Sequence, residues 1–565
     1  TNQFRDIDKG YLQTTLVRRT GVTVAFDDIF YLRPGRITVT DGATGVPVDP
    51  YQLSHYSLST AGSSLGLSVS RHRTAFGNLR RDFGGRWPLS LKAGFDLRQS
   101  ISDYRTHNRS LTYVGADGRS STTPVGGDDS AAPFLDRDFS TRTGPYGFPR
   151  IQWVSNEGLW EHYRSNPGRF TADANAEYRS RISNSKHSEE LISAVYLRGD
   201  LRLFGPRLRL TGGVRAEQTN VEAEGPLTDP TRNFRRDAAG RVILGPNGRP
   251  QTIASDALPI SQLTFIDRGQ RAEKEYLRLL PSVNATWQVR ENLLARVAWY
   301  ESLGRPSFNQ YSGGLTLPDV EAPPSNTNRL VVNNVGIKAW RARSTKVSLE
   351  YYFERVGQLS VGAFRRDFEN FFGSTVLDAT PGFLGLYGLD PTVYDPYDVA
   401  TQYNLATRVR MEGYNVNYRQ ALTFLPHWAR GVQFYANGSA QRATGDGAAN
   451  FAGYFPKSGN WGISLSRPQY NVRLNWNYLG RQRRGLVNGR GLEPGTYNWG
   501  SKRSYIDVSG EYAITRRLAV FANLRNVNQP VDDVEIAGPN TPAYAQLRQR
   551  QDFGSLWTIG IKGSL

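Results

Sequence analysis

From Trp87 onward in this 565-residue chain, apolar side chains recur at every second position, and the connections between these stretches alternate between short and long. Leu89, Leu91, Ala93, Phe95 and Leu97 alternate with Ser90, Lys92, Gly94, Asp96 and Arg98. Val195, Leu197, Leu201 and Leu203 repeat the pattern, and after Gly205-Pro206 so do Leu208, Leu210, Val214 and Ala216. A period of two marks a strand with two unlike faces. Further pairs are 283–287 with 295–299, 347–353 with 359–363, 409–424 with 431–441, 461–467 with 470–478, and 505–514 with 518–526. Short turns such as Arg290-Glu291-Asn292 and Arg355-Val356-Gly357 close the hairpins, while long polar segments near 117–168, 225–274, 304–343, 373–402, 481–501 and 529–552 separate them. A transmembrane barrel has this rhythm, with short periplasmic turns and long extracellular loops. A soluble sandwich has no reason to place its long loops at every second connection. The polar face is rich in Arg, Asp, Glu and Asn, which a soluble core could not bury unpaired but a water-filled or plugged lumen can hold.

The expected class is therefore all-β, a large antiparallel transmembrane β-barrel, with about 16 to 18 strands after Trp87. Residues 1–86 are less regular; Val22, Val24 and Phe26 alternate, as do Leu65, Leu67 and Val69, so early barrel strands and loops are expected there, followed by the main barrel over 87–565. A β-helix would need a regular repeat of about 20–30 residues, and none is present.

Composition agrees. Hydrophobic residues make up only 38% of the chain, and no run approaches the roughly 20 apolar residues of a membrane helix. A barrel needs no such run, because only alternate residues meet lipid. Aromatic residues reach 12%, with many Tyr and Trp, which suit bilayer interfaces. The absence of Cys removes disulfides, thiolate metal sites and Cys nucleophiles from consideration. Net charge is +18, dominated by Arg, which suits phosphate-rich lipopolysaccharide or an anionic solute. No nucleic-acid module accompanies that charge, and no nucleic-acid partner is expected. The chain opens at Thr1 with neither Met nor a basic-then-apolar leader, as a processed chain or a fragment would.

The final segment, Phe553 to Leu565, places Phe553, Trp557, Ile559, Ile561 and Leu565 on one face, and Thr558, Gly560, Lys562 and Ser564 on the other. A closed sheet requires this last strand to pair with the first. The ending resembles the C-terminal assembly signal of bacterial outer-membrane barrels at Thr558, Gly560 and Leu565, with Gly563 departing from the usual apolar residue.

Two internal blocks carry a more specific likeness. The first is Tyr276-Leu277-Arg278-Leu279-Leu280-Pro281-Ser282-Val283-Asn284, then 292–300, then Ser302-Leu303-Gly304-Arg305-Pro306-Ser307-Phe308. The second begins at Asn333-Asn334-Val335-Gly336-Ile337-Lys338 and continues through 349–353, 359–364 and 368–371, with Gly413-Tyr414 and Leu524-Arg525-Asn526-Val527 further on. In order and spacing these resemble the barrel of TonB-dependent receptors over about residues 87–565; Val335-Gly336 depart from the family's Pro-Asp. The resemblance implies a 22-stranded barrel in the bacterial outer membrane, contacting lipid and lipopolysaccharide. It also implies TonB-energised uptake of a scarce solute such as a siderophore, a cobalamin-like cofactor or an oligosaccharide. The family's plug and TonB-contacting box are not recognisable in the chain. The expectation is the barrel portion of a longer polypeptide, whose upstream plug meets TonB and whose first strands are also missing here. The alternatives are a plugless relative acting as a passive porin-like channel or scaffold, or a soluble β-rich binding protein.

No catalytic constellation stands out, so an enzyme is not expected, nor is a resident cofactor. The six His residues are scattered without metal-ligand spacing, and Gly126-Gly127-Asp128-Asp129 lacks an EF-hand frame, so no metal site is assigned. Solute contacts are expected in the loops. Tyr387, Tyr394 and Tyr397 could stack on a ligand, the competing reading being an interfacial girdle. Arg481, Arg483 and Arg484, with Arg490 nearby, could hold an anion or meet lipopolysaccharide phosphates. Arg305 is a candidate through its motif.

Overall fold

The computed structural model describes all of the chain except residues 1, 7–10, 19, 31–32, 121–126, 145–146, 354–355, 405, 446–450, 452, 488–491 and 564–565. Gly126, Arg355, Arg490, Ser564 and Leu565 thus lie outside the described residues.

Two short strands, β1 (Asn2–Asp6) and β2 (Gln13–Val17), both pair with the long β3 (Ser57–Phe83). From there one antiparallel meander runs in chain order through β4 (Leu89–Tyr113), β5 (Ser185–Leu203), β6 (Leu208–Thr228), β7 (Phe265–Arg290) and β8 (Leu293–Gly304). It continues through β9 (Trp340–Phe353), β10 (Gly357–Glu369), β11 (Val409–Ala421), β12 (Val432–Thr444) and β13 (Lys457–Ser466). It ends with β14 (Tyr470–Leu479), β15 (Arg503–Ala513), β16 (Leu518–Arg525) and β17 (Leu556–Gly563). Every neighbour in sequence is the neighbour in space, as short hairpin turns dictate. At one such turn, the four residues 204–207, Phe204 and Gly205 both adopt positive φ, 54° and 65°.

The meander after Trp87 holds fourteen strands, β4 to β17, fewer than the period-two count suggests. The long loops, read as polar connections, form strands of their own. Gln482–Leu486, Tyr497–Gly500, Asp532–Ala537 and Leu547–Gln551 make a separate four-stranded sheet, and Phe372–Asp378 pairs with Asp398–Asn404.

The strongest departure from expectation is at the seam. Among the described residues β17 pairs with β16 alone, and the sheet is not closed onto its first strands. The first strands described, β1 and β2, are five residues each, far shorter than the β3 they pair with.

The two faces follow the sequence. Leu349 stands opposite Ala295 and Val361, and Val361 opposite Val416. These belong to an apolar face whose residues remain open to the surroundings, Leu349 at 49% and Val361 at 45%. At its short-turn end Tyr351, Phe353, Tyr418 and Phe434 pack edge to face or tilted, 5.1–6.0 Å between centroids, as an aromatic girdle would. The opposite face is ionic. Arg296 holds Glu350 at 2.7 Å; Arg215 bridges Asp96 and Glu217 at 3.1 and 2.9 Å; Lys562 reaches Glu511 at 2.5 Å.

β3, β4 and β7 contain 27, 25 and 26 residues, well beyond the 9–11 or so that a tilted strand needs to cross a bilayer. Their excess rises on the long-loop side. The loops there form compact cores rather than tails. Helix α1 (Asn156–Ser165), N-capped by the Ser155 hydroxyl, buries Leu159 among Leu12, Leu53, Leu58 and Tyr113. Helix α2 (Ala174–Ser183), capped by Asp173, docks along β4. Among the described residues, no helix is long and apolar enough to cross a membrane.

Candidate functional site

The motif blocks singled out in the sequence meet at the mouth of the barrel. β8 ends at Gly304, which lies opposite Trp340; a methyl group on Gly304 would sit inside the indole, so the position requires Gly. The chain then turns over the ionic face. Arg305 pairs with Glu217 of β6, lies 3.7 Å from Glu190 of β5, and reaches the Thr219 hydroxyl at 3.5 Å. The Glu217 and Glu190 side chains are only 8% and 14% exposed, so Arg305 is shared between two carboxylates that have little water, with Arg215 as the second cation on Glu217. Tyr311 lies buried beside this cluster, and burial holds its hydroxyl proton well above the usual phenol range. The motif arginine is thus a clamp that ties the 305–339 loop to the wall.

The second block ties that loop to the next. Tyr387 donates its hydroxyl hydrogen to the Asn333 carbonyl (2.7 Å) and accepts from the Val335 amide (2.8 Å). Asn334 donates to the Gln402 carbonyl at 2.8 Å, and its own oxygen accepts the Gly336 amide. Asn334 therefore closes a turn that holds Val335 buried among Val221, Ala223 and Tyr311. The departure from Pro-Asp at Val335-Gly336 is accommodated here, since a small buried aliphatic fits the space and Asn334 supplies the turn.

Of the aromatic candidates, Tyr397 is 5% exposed, with its hydroxyl 3.0 Å from the Ala322 carbonyl, and it sits with Leu315, Leu330, Leu384 and Val399 in the core shared by these loops. Tyr387 and Tyr394 pack at the edge of that core. The structure thus places all three inside the loop assembly rather than at a bilayer interface; what sequence periodicity could not reveal is that two polar loops build one apolar core. Burial pushes the Tyr387 hydroxyl up to about 12. Because the folded value exceeds the ordinary 10.0, its contribution is complete below pH 10 and fades as pH rises toward 12. Tyr387→Phe should loosen the loop by about 1–3 kcal/mol, since it orphans a buried amide and carbonyl. Limited proteolysis of residues 305–408 reads this, and the variant should lose the wild type's sensitivity between pH 10 and 12; equal digestion of the two proteins at pH 7 would refute the assignment.

Arg481, Arg483 and Arg484 lie together at the separate four-stranded sheet. Arg481 stacks on Trp499 at 4.3 Å and pairs with Glu535 at 2.7 Å, Arg483 covers Tyr497 at 4.9 Å, and Arg484 lies against Gly500. Arg503 holds Asp532 and Arg550 grips Asp533 through two bonds of 2.5 and 2.6 Å. The acids are therefore already partnered, and the sheet presents stacked guanidinium groups, a surface suited to flat or anionic groups. Arg305 is not part of it; it clamps a different loop. The acidic loop seen in the sequence serves its own closure, because the Asp128 carboxylate accepts the Ala116 and Asp117 amides at 2.7 and 3.1 Å, which hold its pKa below the usual range.

An antiparallel meander with an apolar outer face, an ionic inner face and loops folded over one end defines the wall of an outer-membrane-type β-barrel. Residues 6–536 match the family model described as TonB dependent receptor-like, beta-barrel. The chain belongs to the TonB-dependent receptor family, whose members are outer-membrane receptors and transporters. Similar solved structures include the unliganded ferric citrate transporter FecA (11% identity, TM-score 0.48, covering 90% of this chain and 57% of that one). The closed form of the ferric-catecholate import receptor Fiu from E. coli K12 aligns at 13% identity and TM-score 0.47, covering 93% and 60%. The siderophore receptor PiuA from Acinetobacter baumannii aligns at 12% and 0.46, covering 90% and 60%. The chain thus spans about three fifths of the length of these relatives. No curated protein sequence matches it.

Proposed function

We propose that this chain is the barrel wall of an outer-membrane receptor that takes up a scarce solute, with TonB as the energy-supplying partner. The observation that carries this reading is the anchored loop pair: Arg305 and Tyr387 bind two long loops to each other and to the inner face. A pore built for passive flow gains nothing from loops folded over its entrance, whereas a receptor needs a fixed binding surface there. The solute meets the guanidinium and aromatic surface around Arg481, Arg483 and Arg484, which favours an anionic or planar ligand. The buried Tyr397 and the Arg305 clamp hold a different pair of loops in place.

The test uses the whole protein in cells lacking their own receptors, offered labelled ferric siderophores, cobalamin and oligosaccharides in turn. The reading expects one of these to accumulate only when TonB is present. Equal accumulation with and without TonB would make the protein a passive channel.

A further inference from the structure

The apolar outer face ends abruptly in one sector. On β9 to β12 it rises through Leu349, Val361 and Val416 to Val347, Ala363, Tyr414 and Ala440, which stand side by side in register. One outward step higher, the same face becomes ionic: Arg365 stands opposite Glu412, and Glu412 opposite Arg442, with Lys457 beside Ala440. Asp367 takes Arg365 and Arg410 at 3.0 and 2.8 Å, and Glu412 lies 3.5 Å from Arg442. With two acids against four basic side chains, the patch keeps positive charge, and Arg442 is 76% exposed. Between the apolar row and the charged row lies an open groove of about 910 Å³.

Depth fixes what can occupy it. From Phe353, in the girdle at the short-turn end, to Thr345 is eight residues, about 27 Å along the strand at 3.4 Å each. Tilted by some 40°, that spans roughly 20 Å of membrane, so the charged row lies at headgroup level on the long-loop side. The row that carries Arg365 continues in register through Thr345, Trp299, Val283 and Gly212, none of them charged, so the basic sector is local and not a general feature of the rim.

We propose that this groove binds a phosphorylated glycolipid of the outer leaflet, the lipid A type, with phosphates on Arg365, Arg442 and Lys457 and one acyl chain along Val347, Ala363, Tyr414 and Ala440. The proposal rests on the membrane orientation taken above. Exposed guanidinium and ammonium groups supply charge-assisted bonds to phosphate, and the apolar row supplies the acyl contact.

The test is native mass spectrometry of the full-length polypeptide, reconstituted with bisphosphorylated lipid A or with phosphatidylglycerol. The wild type should retain lipid A through delipidation at least tenfold better than phosphatidylglycerol. The triple variant Arg365→Gln, Arg442→Gln, Lys457→Gln should lose that retention, while Arg271→Gln on β7 keeps it. Equal retention by the triple variant, or equal retention of the two lipids, overturns the proposal. Failure of the orientation itself is distinguishable, because then even the wild type would not insert into vesicles.

Discussion

Replacing Leu349 with Arg should destabilise the inserted barrel by about 2–4 kcal/mol, the cost of a charge on the lipid face near the bilayer midplane. Leu349 sits midway between the aromatic end at Phe353 and the charged row beyond Thr345, on the face shared with Ala295 and Val361. Arg at Ser360 is the matched control. Ser360 lies on the ionic face opposite Glu350 and Asn417, where a guanidinium finds carboxylate and water. Denaturant titration of both variants refolded into vesicles reads the difference. Equal costs at the two positions would mean that the faces are wrongly assigned.

The second large effect is at the clamp. Arg305→Ala leaves Glu190 without its cation and Glu217 with Arg215 alone, both side chains largely out of water. Removing one partner of a buried ion pair costs about 3–5 kcal/mol, because the remaining charge keeps its desolvation penalty. The strain should appear locally, as protease cleavage within residues 305–339, before the wall itself unfolds. Glu190→Gln in the same chain should restore much of the protection, since the coupling between two contacting residues is not additive. If Arg305→Ala resists protease as the wild type does, the clamp is not what holds this loop.

The wall was largely legible in the sequence because a half-wetted strand must alternate, and each misplaced residue would put a charge in lipid. Leu349 and Glu350 fall on opposite faces for that reason alone. What alternation could not tell was that polar loops would pair among themselves: the segments around Arg483 and Glu535 read as connections, yet they form their own sheet. The loop candidates were found by residue type, and type alone does not report burial. Tyr397 looked like a ligand platform, but its hydroxyl is spent on backbone carbonyls inside a core assembled from segments some 80 residues apart. Arg305 was found through its motif, while its partners Glu190 and Glu217 were read simply as strand-face residues. Only the register of β5 and β6 brings them beneath it. The seam was read from the last strand's pattern, which fixes its faces but not its neighbour.

The central claim is that one face of this sheet meets lipid and the other meets water. The chain has no Cys, so single Cys residues can be introduced one at a time from 347 to 352 without background. In native outer membranes, a water-soluble maleimide should modify positions 348, 350 and 352, while a lipophilic spin label at 347, 349 and 351 should report hydrocarbon contact. Uniform labelling by the water-soluble reagent across all six positions would contradict the account.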